Sequence, residues 1–167
     1  MTSTATQPKE KIRFSKAFWV ANTVELFERA AYYGVFIVIT LYLSRILGFN
    51  DIQAATIAGT FAALLYFLPT FAGALADKIG FRRSMLLAFS LLTLGYGGLA
   101  LFPTYLESAG LVEYGMTTTF KGLTESGMQY GILPIMALIV IGGAFIKSVI
   151  TGTVARETTE ANRAKGF

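Results

Sequence analysis

Three charged side chains lie close together near the start of a long apolar stretch, where a charge is costly to bury. Glu25, Glu28 and Arg29 form one stripe of a helix at about 100° per residue, and Tyr32 and Tyr33 continue that stripe. A charge at mid-membrane costs roughly 2.5–3.5 kcal/mol on insertion scales, so such a stripe indicates a functional site by default. A carboxylate beside exchangeable cations is a good proton carrier, because the nearby cation tunes its affinity for protons.

A fourth intramembrane charge, Lys147, stands in another apolar stretch far along the chain. It is a natural partner for a carboxylate of the first stretch, whereas Arg29 is expected to pair with Glu25, four residues away, or with another helix. The charges could serve only to hold helices together. Two carboxylates, an arginine and a lysine nevertheless exceed what the assembly of a bundle needs. Each tyrosine alone fits packing as well as it fits contact with a ligand.

The composition indicates a membrane protein rather than a soluble domain. Of the 167 residues, 54% are hydrophobic and 14% are charged, and the mean hydropathy is +0.58. The chain contains no cysteine and no histidine, which excludes disulfides, thiol catalysis and cysteine-based metal sites. Glu, Asp, Lys and Tyr are then left as proton carriers. Because neither a nucleophile–base pair nor a phosphate-binding loop is evident, an enzyme is the weakest interpretation.

The apolar blocks predict an all-α polytopic membrane protein with four transmembrane helices. Spans of 20 or more residues give roughly 30 Å of helix, enough to cross the hydrocarbon core. The predicted spans cover about residues 17–47, 52–76, 84–106 and 130–154. Residues 1–16 are predicted to form a tail before the bundle, and residues 155–167 a second tail. Between the third and fourth spans we expect an external loop without an assigned function.

The placement of basic residues predicts the orientation of the bundle. Most of the 14 Lys and Arg residues flank one side of it. They are Lys9, Lys11, Arg13, Lys16, Lys78, Arg82, Arg83, Arg156, Arg163 and Lys165. The N-terminus, the second loop and the C-terminal tail are therefore predicted to be cytoplasmic, in an inner or plasma membrane. The net charge of +4 then reflects membrane topology, and we expect no nucleic-acid partner.

The second predicted loop, at residues 77–83, ends a pattern of glycines and charges with a specific spacing. The pattern consists of Gly73, Asp77, Lys78, Gly80, Arg82 and Arg83. Gly73 permits close approach of helices, and Gly80 permits a tight turn between antiparallel spans. A generic basic loop would explain the charges but not their spacing.

This pattern resembles the signature loop of the major facilitator superfamily, between its second and third helices, and matches it at all six positions. The stripe on the first span resembles the E-x-x-E-R-F-x-Y-Y motif of the proton-dependent oligopeptide transporter family, with Ala30 in place of the phenylalanine. Lys147 lies where that family carries a lysine on its fourth helix, and Tyr66 lies where many members place a cavity tyrosine. Ser148 replaces a usual proline, which is expected to leave this helix straighter, and Val149 replaces a usual asparagine.

The resemblance implies proton-coupled symport of di- and tripeptides or similar small solutes. The residues implied to couple protons are Glu25, Glu28, Arg29 and Lys147, and those implied to bind substrate are Tyr32, Tyr33 and Tyr66. The proton is then the coupling ion, and no cofactor is implied.

The resemblance also implies partners that lie outside this chain. The family fold has two six-helix bundles with substrate bound between them. This chain would supply part of the N-terminal bundle, and its end would lead to a missing fifth span. The implied partners are the lipid bilayer, a peptide or small-molecule substrate and the remaining helices of the transporter. We expect the chain to be an incomplete portion without transport activity of its own, because alternating access needs the second bundle.

Two other functions stay open at this point. A drug or solute exporter of the same superfamily shares the signature loop, although the first-span motif favours the peptide transporters. A four-helix membrane anchor or assembly subunit belongs to a different class. It predicts that substitutions in the charged stripe have no effect on coupling.

Overall fold

The computed structural model describes residues 14–157, and helices dominate this part of the chain. Its elements are α1 (Lys16–Leu41) with a π-helical turn (Tyr42–Ile46), α2 (Asp51–Phe67), α3 (Pro69–Ile79), α4 (Phe81–Ser108), α5 (Leu123–Ser126), a 3-10 turn (Met128–Gly131) and α6 (Ile132–Glu157). The tails predicted at residues 1–16 and 155–167 fall largely outside the described residues.

Three helical stretches of the described part are long and apolar enough to cross a membrane: Lys16–Ile46, Phe81–Ser108 and Met128–Arg156. The pair α2 and α3 forms a fourth crossing when it is taken as one broken span, with a bend of 46°. The prediction of an all-α polytopic membrane protein is confirmed. The chain is an integral membrane protein.

The bend between α2 and α3 has an identifiable cause. Pro69 stands at the first position of α3 and carries no backbone N–H, so the hydrogen bond that would continue α2 into α3 is missing. The helices are joined through Leu68 alone. The second span is therefore a bent pair that continues to Ile79, not the single helix predicted over about residues 52–76.

The prediction of a charged loop at residues 77–83 is wrong. The helix α3 continues through Asp77 and Lys78 to Ile79, and α4 begins at Phe81, so Gly80 is the whole connection. Gly80 has φ of 92°, a conformation that glycine adopts without the strain that a side chain would impose. Polarity at these positions reflects exposure, because Lys78 and Asp77 both face outward on a helix.

Helix α6 is the centre of the described bundle, since it packs against α1, α2, α3 and α4. Close packing against α4 depends on glycine. A Cβ atom built on Gly95 would lie 2.5 Å from Ile139 Cγ1, and one built on Gly142 would lie 3.0 Å from the Ala88 carbonyl oxygen. These glycines therefore serve helix packing, as their positions in apolar stretches predict.

A tyrosine hydroxyl joins the π-helical turn after α1 to α4. Tyr42 Oη donates a hydrogen bond of 2.6 Å to the Leu99 carbonyl oxygen. That carbonyl lies four residues before Pro103, which stands inside α4 and has no N–H to offer it. The hydroxyl thus pairs a backbone group that the proline leaves open, and an unpaired backbone group is costly within a membrane.

The segment between α4 and α6 has more structure than a plain loop. Glu113 and Thr119 form a β-bridge, and Lys121 Nζ lies 2.6 Å from Glu113 Oε2. The hydrogen bond from Lys121 lowers the pKa of the Glu113 carboxyl below its usual range. Tyr114 Oη donates to the Ile46 carbonyl oxygen at 2.9 Å, which fastens the segment to the end of the first span.

We expect the Tyr42→Phe substitution to lower the stability of the protein by about 1 kcal/mol, because the Leu99 carbonyl would be left unpaired within the membrane. Thermal unfolding of the whole protein in detergent measures this as a lower Tm. The matched control is Tyr105→Phe, since the exposed Tyr105 hydroxyl has no hydrogen-bond partner among residues 14–157. Equal Tm values for Tyr42→Phe and wild type would contradict this account.

Candidate functional site

The charged stripe of α1 divides into an ion pair and a buried carboxylate. Arg29 donates through Nη2 and Nε to Glu25 Oε1, at 3.0 Å and 3.1 Å, as the four-residue spacing predicts. Glu28 is only 9% exposed, and its Oε2 atom has no hydrogen-bond partner in the described part of the chain. A buried carboxylate without a partner is a costly group, which makes Glu28 the most unusual polar residue of α1.

Helix α6 faces this carboxylate at Gly143, one helical turn before Lys147. A Cβ atom on Gly143 would lie 3.6 Å from Glu28 Oε1, an ordinary contact, and 3.0 Å from Leu65 Cδ2, a tight one. The glycine therefore serves the packing of α6 against Leu65 of α2, and it also lies next to the Glu28 carboxylate.

Lys147 interacts with the first span through space rather than by direct contact. It is attracted by the carboxylates of Glu28 and Glu25 and repelled by Arg29. Within residues 14–157, the ion pairs closer than 4.0 Å are Arg29–Glu25 and Lys121–Glu113. The predicted partnership of Lys147 with α1 is thus an electrostatic attraction without a closed salt bridge.

The nearest defined partner of Lys147 is an aromatic ring of α2. Lys147 Nζ lies 4.5 Å from the centroid of the Tyr66 ring, within the range of a cation–π interaction. The Tyr66 side chain is 65% exposed, so its ring is open to other molecules on the side that Lys147 does not cover. The lysine and the tyrosine, far apart in sequence, thus form one unit.

An open cavity of about 500 Å³ lies between α1, the α2–α3 bend and α6. The predicted residues that line it are Glu25, Arg29, Tyr66, Gly73 and Lys147. Its wall presents a carboxylate, a guanidinium, an ammonium and an aromatic ring. Such a wall can bind a small molecule that carries both charges, since each end of the molecule finds an opposite charge.

The two tyrosines of α1 lie outside the residues that line this cavity. Tyr32 is buried, with its ring centroid 5.6 Å from that of Phe36 and 6.2 Å from that of Phe61. Tyr33, the next residue, is 48% exposed. Contact of Tyr32 and Tyr33 with a substrate stays a prediction. In this conformation the Tyr32 ring packs against Phe36 and Phe61.

Part of the signature pattern lines a second cavity, of about 270 Å³, at the end of the bundle where α3 meets α4. Gly73, Asp77 and Gly80 contribute to its wall, and Arg156 of α6 completes it. The remaining signature residues, Lys78, Arg82 and Arg83, are exposed. Among the described residues none of these three forms an ion pair.

Several residues at the site were not predicted. Pro69, Ser148 and Thr151 also line the larger cavity. Tyr96 of α4 interacts electrostatically with Glu28. The sequence carried a signal for Pro69, because a proline interrupts the backbone hydrogen bonds of a span and so indicates a bend. Tyr96 lies between Gly95 and Gly97, in a stretch whose glycines predict close packing of helices and give no sign of a site.

Comparison with known proteins gives bacterial peptide permeases as relatives. The chain is 35% identical over 127 residues to dipeptide and tripeptide permease A of Escherichia coli (strain K12), which covers 72% of this chain and 25% of the permease. It is 33% identical over 128 residues to the permease of the same name in Salmonella typhi, covering 73% of the chain and 25% of the relative. For the Proteus mirabilis (strain HI4320) permease A, the identity is 34% over 128 residues, covering 72% and 26%.

The chain spans about a quarter of the length of the curated relatives it matches. No protein-family model and no solved structure matches it. The relatives agree with the motif resemblance, which rests on Glu25, Glu28 and Arg29 in α1 and on the signature pattern around Gly80. Over the stretch that it matches, the chain is therefore a homologue of these dipeptide and tripeptide permeases.

Proposed function

We propose that this chain forms part of the N-terminal bundle of a proton-coupled symporter for di- and tripeptides or similar small solutes. The observation that carries the proposal is the buried Glu28 carboxylate, whose Oε2 atom has no hydrogen-bond partner among the described residues and whose neighbour Arg29 lines a cavity with charges of both signs. A carboxylate in that position can take up a proton, and the cavity next to it can hold a zwitterion. The names of the relatives, dipeptide and tripeptide permeases, support the choice of substrate.

Within this proposal the four charged residues couple proton movement to peptide movement. Protonation of Glu28 removes its attraction for Lys147, which frees the ammonium to bind the carboxylate of a peptide. Glu25 and Arg29 hold each other in place and present a second charged pair to the substrate. The proton is the coupling ion; we propose neither a cofactor nor an enzymatic reaction.

The tyrosines have different roles in this scheme. Tyr66 contacts the substrate beside Lys147, because both residues line the cavity. Tyr33 is exposed on α1 but does not line the cavity, so it contacts only a part of the substrate that extends beyond the cavity. Tyr32 reaches a substrate only when α1 moves relative to Phe61 of α2, since its ring is buried against that residue.

The bundle needs partners and a defined orientation to work in this way. The remaining helices of the transporter supply the surface against which this bundle rocks. We place the protein in the bacterial inner membrane with its N-terminus in the cytoplasm. The orientation is supported by the basic residues Lys78, Arg82 and Arg83 around the Gly80 connection, on the side where positive charge is retained.

The test is uptake of a labelled dipeptide by the whole protein, purified from its own membrane and reconstituted in liposomes with an inward proton gradient. We expect saturable uptake that a protonophore abolishes and that an unlabelled tripeptide inhibits, whereas empty liposomes show none. Uptake that ignores the protonophore, or no uptake at all, would contradict the proposal. Export of the dipeptide under the same gradient would favour an antiporter instead.

A further inference from the structure

We propose that Ser148 is a positioning residue, whose hydroxyl fastens α6 to the α2–α3 bend and thereby holds Lys147 over the Tyr66 ring. The consequence for transport rests on the proposed function. The interhelical contact itself does not, and the two are tested separately below.

The hydroxyl of Ser148 makes its shorter hydrogen bond across the helix interface. Ser148 Oγ lies 2.6 Å from the Pro69 carbonyl oxygen and 3.0 Å from the Ala144 carbonyl oxygen of its own helix. A hydroxyl has one proton to donate. The Ala144 carbonyl already accepts the backbone N–H of the α-helix, so the proton is directed mainly at Pro69.

Gly73 faces Ser148 beside this interhelical bond. A Cβ atom built on Gly73 would lie 3.6 Å from both Cβ and Oγ of Ser148, which is ordinary van der Waals contact. Gly73 stands one turn after Pro69, on the same face of α3. Ser148 therefore packs against two residues of α3, Pro69 and Gly73, which together form a seat for its side chain.

The seat lies directly beside the lysine–tyrosine unit of the cavity. Lys147 precedes Ser148 in α6, and Tyr66 stands three residues before Pro69, at the end of α2. The bond between Ser148 and Pro69 therefore limits how far Lys147 and Tyr66 can separate. This hydrogen bond lies at the 46° bend between α2 and α3. The helical hydrogen bonds are interrupted there, so the backbone itself restrains the bend less than it would a continuous helix.

The interhelical contact can be tested without measuring transport. The chain has no cysteine of its own, and the distance of 3.6 Å between Cβ positions suits a disulfide. In the whole protein we expect the pair Gly73→Cys and Ser148→Cys to form a disulfide under mild oxidation, read as the loss of two maleimide-reactive thiols. The pair Gly59→Cys and Ser148→Cys is the control, since nothing lies within 4 Å of a Cβ on Gly59. Thiols that stay reactive in the first pair would overturn the inference.

A second experiment tests whether the Ser148 hydroxyl controls the distance between positions 66 and 147, by chemical cross-linking of two cysteines. Tyr66→Cys and Lys147→Cys are joined with a short bis-maleimide, once with Ser148 intact and once with Ser148→Ala. We expect bridging to slow by about three- to tenfold when the hydroxyl is removed, which corresponds to one membrane hydrogen bond. Equal bridging rates in the two backgrounds would show that Ser148 positions neither residue.

Transport kinetics supply the functional arm. We expect Ser148→Ala to raise the KM for a dipeptide by about three- to tenfold with a smaller change in the maximal rate, and Ser148→Thr to restore it. Thr153→Val is the control, because within residues 14–157 the Thr153 hydroxyl bonds to Val149 of its own helix and to no other helix. A wild-type KM in Ser148→Ala, or no rescue by threonine, would overturn the inference. If wild-type protein shows no peptide uptake, the proposed function fails, and the bridging rates alone decide the role of Ser148.

Discussion

We expect the Lys147→Gln substitution to abolish proton-driven dipeptide uptake and to leave counterflow of the same dipeptide measurable. Glutamine keeps a polar side chain in the cavity but removes the positive charge that Glu28 and Glu25 attract. Without this charge, protonation of Glu28 no longer frees an ammonium group to bind the carboxylate of a peptide. Driven uptake should fall by at least about thirtyfold, the equivalent of about 2 kcal/mol. Counterflow persists because exchange of peptide for peptide needs no net movement of protons.

The experiment compares driven uptake and counterflow in the same liposomes, so that loss of folded protein is recognised by loss of both. Lys121→Gln is the matched control, because Lys121 pairs with Glu113 in the segment outside the spans. Glu25→Gln should reproduce the Lys147→Gln result, since it removes one of the two carboxylates that attract the lysine. If driven uptake survives both Lys147→Gln and Glu25→Gln, the assignment of coupling to these charges is wrong. That outcome would suit a membrane anchor better than a symporter.

The second large effect is expected in the packing of α4 against α6. Gly95→Ala adds a methyl group that would lie 2.5 Å from Ile139 Cγ1 and 3.1 Å from the Ile139 backbone nitrogen. A backbone atom cannot rotate away as a side chain can, so the two helices must separate. We expect a loss of about 1–3 kcal/mol of stability, measured as a lower Tm of the whole protein in detergent.

Gly97 provides the control for this experiment within the same helix. A Cβ atom on Gly97 would meet nothing within 4 Å. The Gly97→Ala substitution should therefore leave the Tm unchanged or raise it, because alanine favours a helix over glycine. A similar fall in Tm for Gly95→Ala and Gly97→Ala would mean that helix propensity or lipid contact, not interhelical distance, governs both positions.

Local spacing predicted the parts of the site that depend on one helix. The pairing of Arg29 with Glu25 follows from a separation of four residues, and the structure contains that pair. The apolar blocks likewise gave the all-α membrane architecture, because the length needed to cross a bilayer leaves few alternatives. Assignment of coupling roles to Glu25, Glu28, Arg29 and Lys147 stays a prediction.

Properties that depend on which helix faces which could not be predicted from the sequence. Tyr32 and Tyr33 are adjacent, yet one is buried against Phe61 and the other is exposed. A helix rotates by about 100° per residue, and only the position of α2 decides which ring it covers. The loop predicted at residues 77–83 failed for a related reason. Charged residues mark an exposed surface, and a helix surface satisfies that requirement as well as a loop does.

The single residue between α3 and α4 has a mechanical consequence. Adjacent Cα atoms are about 3.8 Å apart, so Gly80 cannot let one helix slide along the other by a full turn. The angle between the two helices can change at Gly80, but a translation of either helix along its axis must move the adjoining end of the other. The ends of α3 and α4 that carry Asp77 and Arg82 therefore stay close together while the angle between the helices can change. Two spectroscopic labels at these positions should keep their mutual distance.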